Sequence, residues 1–110
     1  MFMEKKDIKV PVYEREKDVL YIRLPREFDH YSARNMKVET EAFIEAVGIK
    51  NIVFDFTKTE FMDSTGVGIL LGRYKRMNFI GGAVYTWHVN TRIRRMLEVA
   101  GVTRLVTELE

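Results

Sequence analysis

Phe61-Met62-Asp63-Ser64-Thr65-Gly66-Val67-Gly68-Ile69-Leu70-Leu71-Gly72-Arg73 begins as an irregular loop and continues as a helix. Val67, Leu70, Leu71 and Tyr74 recur at i, i+3, i+4 and i+7, the spacing of one helical face. Ahead of the loop, Ile52-Val53-Phe54-Asp55-Phe56 is a short, dense apolar run, as expected of a central strand covered on both faces or nearly so. Strands that alternate with helices indicate an α/β fold. The same arrangement delivers Ser64 to the first helical turn, where unpaired backbone N–H groups and the positive end of the helix dipole converge.

Position alone leaves two readings of Ser64 open. A helix N-terminus suits an added anion, so a phosphoserine is electrostatically welcome there, although Asp63 next door works against it. The plainer reading makes Ser64 or Asp63 an N-cap, which contributes about 1 kcal/mol.

Outward from this segment the chain alternates regularly. Ile8, Val10 and Val12 alternate with polar residues, and Val19 to Leu24 repeats the pattern after the polar turn Glu14-Arg15-Glu16-Lys17-Asp18, which predicts an antiparallel pair. Pro25 ends the second strand, and Arg26 to Tyr31 reads as a charged loop leading to Ser32, the expected cap of a first helix. Met36, Thr40, Phe43, Ile44 and Val47 form that helix's buried stripe, and Gly48 stops it. Beyond the second helix, Gly81-Gly82 punctuates, Ala83 to Trp87 reads as a strand, and Asn90 caps a third helix with Ile93, Met96, Leu97 and Ala100 on one face. Gly101 ends it, and Leu105-Val106-Thr107 supplies a last short strand. The expected order is β-β-α-β-α-β-α-β, with helices covering a mixed sheet.

Placing residues about 100° apart around the second helix sends Val67, Leu70, Leu71 and Tyr74 toward the sheet and Ile69 away from it. Ile69 then shares the outer face with Thr65, Gly68, Gly72 and Arg76. Two glycines inside a helix cost about 1 kcal/mol each against alanine, which asks for a compensating reason. Either small residues let another helix approach closely, or the outer face is a docking surface with Ser64 at its rim and Ile69 as apolar anchor.

With 110 residues, 46% hydrophobic and 31% charged, the chain accommodates one domain. No stretch approaches the roughly 20 apolar residues of a membrane span, and the first residues lack the apolar core of a signal peptide, so no membrane partner and a soluble, cytoplasmic protein are expected. The absence of cysteine fits that compartment and removes thiolate catalysis and Cys-based zinc sites. Eighteen basic against sixteen acidic residues give a net charge of +2. Nucleic acid is not implied, because Arg73, Lys75 and Arg76, and Arg92, Arg94 and Arg95, read as solvated helix faces.

Asp63-Ser64-Thr65-Gly66, followed by Val67-Gly68-Ile69-Leu70-Leu71-Gly72-Arg73-Tyr74-Lys75-Arg76, resembles the anti-sigma factor antagonists, a family of single STAS domains, and the sporulation-type members in particular. The likeness runs from about Val19 to Val106, taking in Glu27-Phe28-Asp29-His30 and Gly81-Gly82, and thins before Val19. It implies a single STAS domain over residues 1–110, with a mixed four- to five-stranded sheet, three or four helices and a flexible N-terminus at 1–7. It also implies phosphorylation of Ser64, in preference to Thr65, by an anti-sigma factor that is itself a serine kinase. The unmodified form would bind that kinase and free a sigma factor, and a PP2C-type phosphatase would restore it.

Resemblance and outer face together make Asp29, Asp63, Thr65, Gly66, Gly68, Ile69 and Gly72 the expected partner-binding set. Arg26 stands where the family often has glycine, so the loop carrying Asp29 can follow another path. The same module serves stress-response partner switching, and related domains form regulatory tails of anion transporters, so those remain alternative settings.

No cofactor is implied. Gly66-x-Gly68-x-x-x-Gly72 superficially matches a dinucleotide fingerprint, but that motif follows its strand immediately, whereas Thr57 to Ser64 intervene here. Weak nucleotide binding remains an alternative. A hydrolase built on Ser64 would need His30 or His88 as base, yet no oxyanion or orienting group is readable. Two histidines and scattered carboxylates show no metal-ligand spacing, and Asp55 reads as strand-end polarity.

Overall fold

The computed structural model describes residues 8–110; the flexible segment expected at 1–7 lies outside the described residues. β1 (Val12–Glu16) and β2 (Val19–Arg23) form the expected antiparallel pair, shortened at its start to Val12 and joined through Lys17, whose φ is +57°. After β3 (Glu27–Phe28) come α1 (Met36–Val47), β4 (Asn51–Asp55), β5 (Phe61–Met62), α2 (Ser64–Phe79), β6 (Ala83–Trp87), α3 (Thr91–Val99) and β7 (Thr107–Leu109). The main sheet has the order β1-β2-β4-β6-β7, with β4 central and every pair but the first parallel. A second sheet consists of β3 and β5 alone, also parallel.

In-register positions explain the core. Leu20 and Ile22 of β2, Ile52 and Phe54 of β4, and Val84 of β6 share one face, where Met36 and Ile44 of α1, Leu70 and Met77 of α2, and Ile93 and Leu97 of α3 pack against them. Val53 points to the other face and is only 4% exposed, lying in register between Tyr21 and Tyr85. Two flanking tyrosines, rather than a helix, therefore account for its burial. Gly82 is dictated by backbone proximity: a Cβ there would sit 1.9 Å from the Lys50 carbonyl oxygen, which accepts from the Ala83 N–H where β6 enters the sheet.

Several local expectations are corrected. Ser32 does not cap α1; the N-cap is Asn35, without a side-chain bond, because the Ser32 hydroxyl is used in the preceding turn. Val47 and Ala100 are exposed, since each stands at the end of its helix where the helix leaves the core. The last strand begins at Thr107, because Val102–Arg104 closes into a 3₁₀ turn first. In α2 the fully buried line is Gly66, Leu70, Arg73 and Met77, while Val67, Leu71 and Tyr74 are half-buried flanks. By contrast, the Asn90 cap is as expected, with its Oδ1 accepting from the Ile93 N–H at 2.8 Å, and Gly48 and Gly101 adopt positive φ at the helix ends.

Candidate functional site

The two-stranded sheet sets two loops side by side. Phe28 and Met62, both buried, are partners in register, so the residues that follow them, Asp29 and Asp63, emerge together. The Asp63 N–H donates to the Phe28 carbonyl at 3.3 Å, which continues the pairing by one residue. Two residues per strand cannot hold such a pair by ladder bonds alone. Side chains supply the rest.

Asp63 is the N-cap of α2. Its extended backbone (φ −106°, ψ −174°) lets Oδ1 accept from the Thr65 N–H at 2.9 Å and the Gly66 N–H at 3.2 Å. Its Oδ2 accepts from the His30 N–H at 3.2 Å and so ties the head of α2 to the other loop. Asp29 repeats the device within its own turn, where Oδ1 accepts from the N–H groups of Tyr31 at 3.1 Å and Ser32 at 3.0 Å. The Ser32 N–H bond, above all, holds the Asp29 carboxyl below its usual range, with further contributions from the Ser32 hydroxyl, the Tyr31 N–H and the charge of His30. The Ser32 hydroxyl meanwhile donates to the Glu27 carbonyl and accepts from the Asp29 N–H.

Because Asp63 takes the cap, Ser64 is released from that duty. Ser64 is the first residue of α2, exposed, and its hydroxyl makes no hydrogen bond among the described residues. From it an exposed line runs down the helix through Gly68, Gly72, Lys75 and Phe79, the last 87% exposed. A Cβ built on Gly68 or Gly72 meets nothing within 4 Å, so no described element is drawn close by their smallness. The close-packed glycine is instead Gly66, where a Cβ would lie 2.6 Å from Met62 Cγ and 3.0 Å from Phe28 Cδ2. Gly66 thus seats α2 on the strand pair and is not a surface residue. Thr65 and Ile69 are half-buried, and Ile69 packs against the core instead of standing out.

The roll of α2 is fixed from behind. Arg73, 5% exposed, places Nη1 2.9 Å from Glu41 Oε1 and 3.3 Å from Thr40 Oγ1 of α1, while Arg76 Nε lies 2.6 Å from Glu41 Oε2. The Arg73 bond first, and then Arg76, hold the Glu41 carboxyl below its ordinary value. Arg73 is therefore not part of a solvated face, because one carboxylate on α1 answers both guanidinium groups. Among the expected site residues, Asp29, Asp63 and Ser64 cluster at one end, whereas Gly68 and Gly72 form the surface leading away. Lys75 and Phe79 complete that surface and were legible only as the exposed phase of the helix, once its buried phase is known.

His30 and His88 part company. His30 sits at the cluster with Nδ1 4.0 Å from Asp63 Oδ2, whereas His88 has φ +59° and stacks its ring 4.2 Å from that of Trp87 at the end of β6. The Asp55 carboxylate accepts from the Thr57 N–H and closes the turn after β4. No helix among the described residues is long and apolar enough to cross a membrane.

Residues 10–110 match the STAS domain family. The anti-sigma F factor antagonist of Paenibacillus polymyxa is 32% identical over 84% of this chain and 80% of its own length. The anti-sigma-B factor antagonist of Listeria monocytogenes is 27% identical over 91% of this chain and 87% of its own. Among solved structures, the anti-sigma factor antagonist SpoIIAA superposes with TM-scores of 0.77 in its unphosphorylated form and, for the Bacillus protein, 0.76 in its phosphorylated form. Both are 22% identical and cover 92% of this chain, and the match spans 88% and 92% of those chains.

Proposed function

The chain belongs to the STAS domain family, and from that premise we propose that it is an anti-sigma factor antagonist switched by phosphorylation of Ser64. Unmodified, it binds an anti-sigma factor that is a serine kinase and thereby frees a sigma factor. Phosphorylated, it lets go, and a PP2C-type phosphatase restores the binding form. All of this takes place in the cytoplasm, and the protein itself performs no catalysis. The observation that carries the reading is the division of labour at the head of α2: Asp63 caps, and the neighbouring hydroxyl is left exposed at the top of a smooth glycine-lined surface.

In this reading the switch works through charge. A phosphoserine adds about 1.5 to 2 negative charges beside Asp63 and Asp29. Two like charges about 4 Å apart near a surface repel by about 1 to 4 kcal/mol, and each tenfold loss of affinity requires about 1.4 kcal/mol. The strand pair and the clamp behind α2 need not move, so backbone change on phosphorylation is expected to be small.

Binding titrations of Ser64→Ala and Ser64→Glu against the anti-sigma factor test the reading. The alanine variant is expected to bind and to gain no phosphate mass on incubation with kinase and ATP, while the glutamate variant binds at least tenfold more weakly. Equal affinities, or phosphate uptake by the alanine variant, would sink it.

A further inference from the structure

Asp63 divides its carboxylate between two loops, and an imidazole stands at the outer oxygen. Oδ1 is occupied by the N–H groups of Thr65 and Gly66, whereas Oδ2 holds the His30 N–H and lies 4.0 Å from His30 Nδ1. The backbone bond anchors His30 against the head of α2, yet its side chain is 81% exposed. Its charge also reaches Asp29, where it adds to the larger effect of Ser32 in lowering that carboxyl.

Among the described residues, carboxylates face the imidazole from two elements. Asp63 faces it from the head of α2 and Asp29 from its own turn. Arg34, on the same turn, donates to the Tyr31 carbonyl and lies 4.1 Å over the Tyr31 ring, and Arg26 pairs with Glu60 at 3.0 Å. His30 thus sets an imidazole against the acidic cluster of the two loops.

We propose that His30 is the counter-charge of phosphoserine 64, tying the charge of the switch to a proton on the neighbouring loop. The proposal rests on Ser64 being the modified residue. Ser64 follows Asp63 directly, so a phosphate on its hydroxyl is added next to the carboxylate whose Oδ2 lies 4.0 Å from His30 Nδ1. The second proton of a phosphate comes off near about pH 6. A protonated imidazole offsets one phosphate charge. Where the imidazole is neutral, the phosphate, Asp63 and Asp29 add without relief, so the modified and bare forms differ most in net charge there. His30 is accordingly a positioning and charge-setting residue of the switch and not a catalytic one.

The test installs phosphoserine at position 64 during translation, so that no kinase is required, and follows the ³¹P chemical shift against pH in three full-length proteins. With His30 present, the phosphate is expected to titrate about 0.3 pH units lower than in His30→Asn, about a twofold change in proton affinity, as befits an exposed pair. His30→Lys, which keeps a cation, should lower it at least as far as histidine does, and about 0.5 M salt should shrink both differences. Equal midpoints with histidine and asparagine would overturn the proposal. Failure of any kinase to modify Ser64 would count against the phosphorylation switch itself and leave this titration intact.

Discussion

The five-stranded sheet and the two-stranded pair beside it are held by different forces. In the main sheet, ladder bonds and a face of Leu20, Ile22, Ile52, Phe54 and Val84 packed under three helices determine the structure. In the β3–β5 pair, each strand contributes two residues, and three polar side chains, Asp29, Ser32 and Asp63, hold what the ladder cannot. The first region carries stability, and the second carries geometry. A surface built on polar staples can gain or lose charge without disturbing the core beneath it.

Substitutions in the two regions should therefore separate stability from recognition. The largest effect is expected at Phe54, fully buried in β4: Phe54→Ala should cost about 3 to 5 kcal/mol in urea denaturation. Asp63→Ala should cost only about 1 kcal/mol, the worth of a cap, yet weaken anti-sigma binding severely because both loops lose their shared ligand. If Asp63→Ala destabilises as much as Phe54→Ala, or leaves binding untouched, the two regions are not distinct in the manner described.

Next in size comes the clamp behind α2. Glu41→Gln leaves the nearly buried Arg73 guanidinium without its carboxylate, and a loss of about 2 kcal/mol is expected, less than for a fully buried pair because Glu41 keeps 28% of its side-chain surface in water. The sign with pH follows from the lowered carboxyl. The native form binds a proton less readily than the unfolded chain, so the stabilisation is full above the ordinary value of 4.5 and disappears as pH falls through the lowered native value. Denaturation curves of the two proteins should converge in that acid range and stay apart at neutral pH.

The smallest effect has the opposite sign. Gly68 and Gly72 are helical, exposed and free of neighbours, so Gly68→Ala and Gly72→Ala should each stabilise the protein by about 0.5 to 1 kcal/mol. Both should weaken anti-sigma binding, since the added methyl stands on the surface proposed for docking. Gains in stability without loss of affinity would show that the glycine line is not where the partner lies.

These contrasts also explain what the sequence disclosed. Elements announced by local chemistry were legible in place: Ala83–Trp87 between its glycines and His88, the Asn90 cap, and the stops at Gly48 and Gly101. So was the central strand, whose apolar density reflects its position in the sheet. The β3–β5 pair was not, because two residues per strand are too few to show any period, and Phe28 and Met62 are single apolar residues in polar surroundings. The same limit made Ser32 resemble a helix cap when its hydroxyl serves the Asp29 turn. Arg73 disturbed the reading of α2 for a different reason: a charged residue on the buried line makes sense only once Glu41 and Thr40, more than thirty residues earlier, are beside it. At the site, the position of Ser64 was evident from the motif, whereas the assignment of the cap to Asp63 required the geometry.

The most direct measurement is calorimetric titration of the anti-sigma factor with the unmodified protein and with the protein carrying phosphoserine at 64, at one pH and ionic strength. At least a tenfold weaker binding of the modified form is predicted, about 1.4 kcal/mol or more. Identical affinities for the two forms would contradict the account.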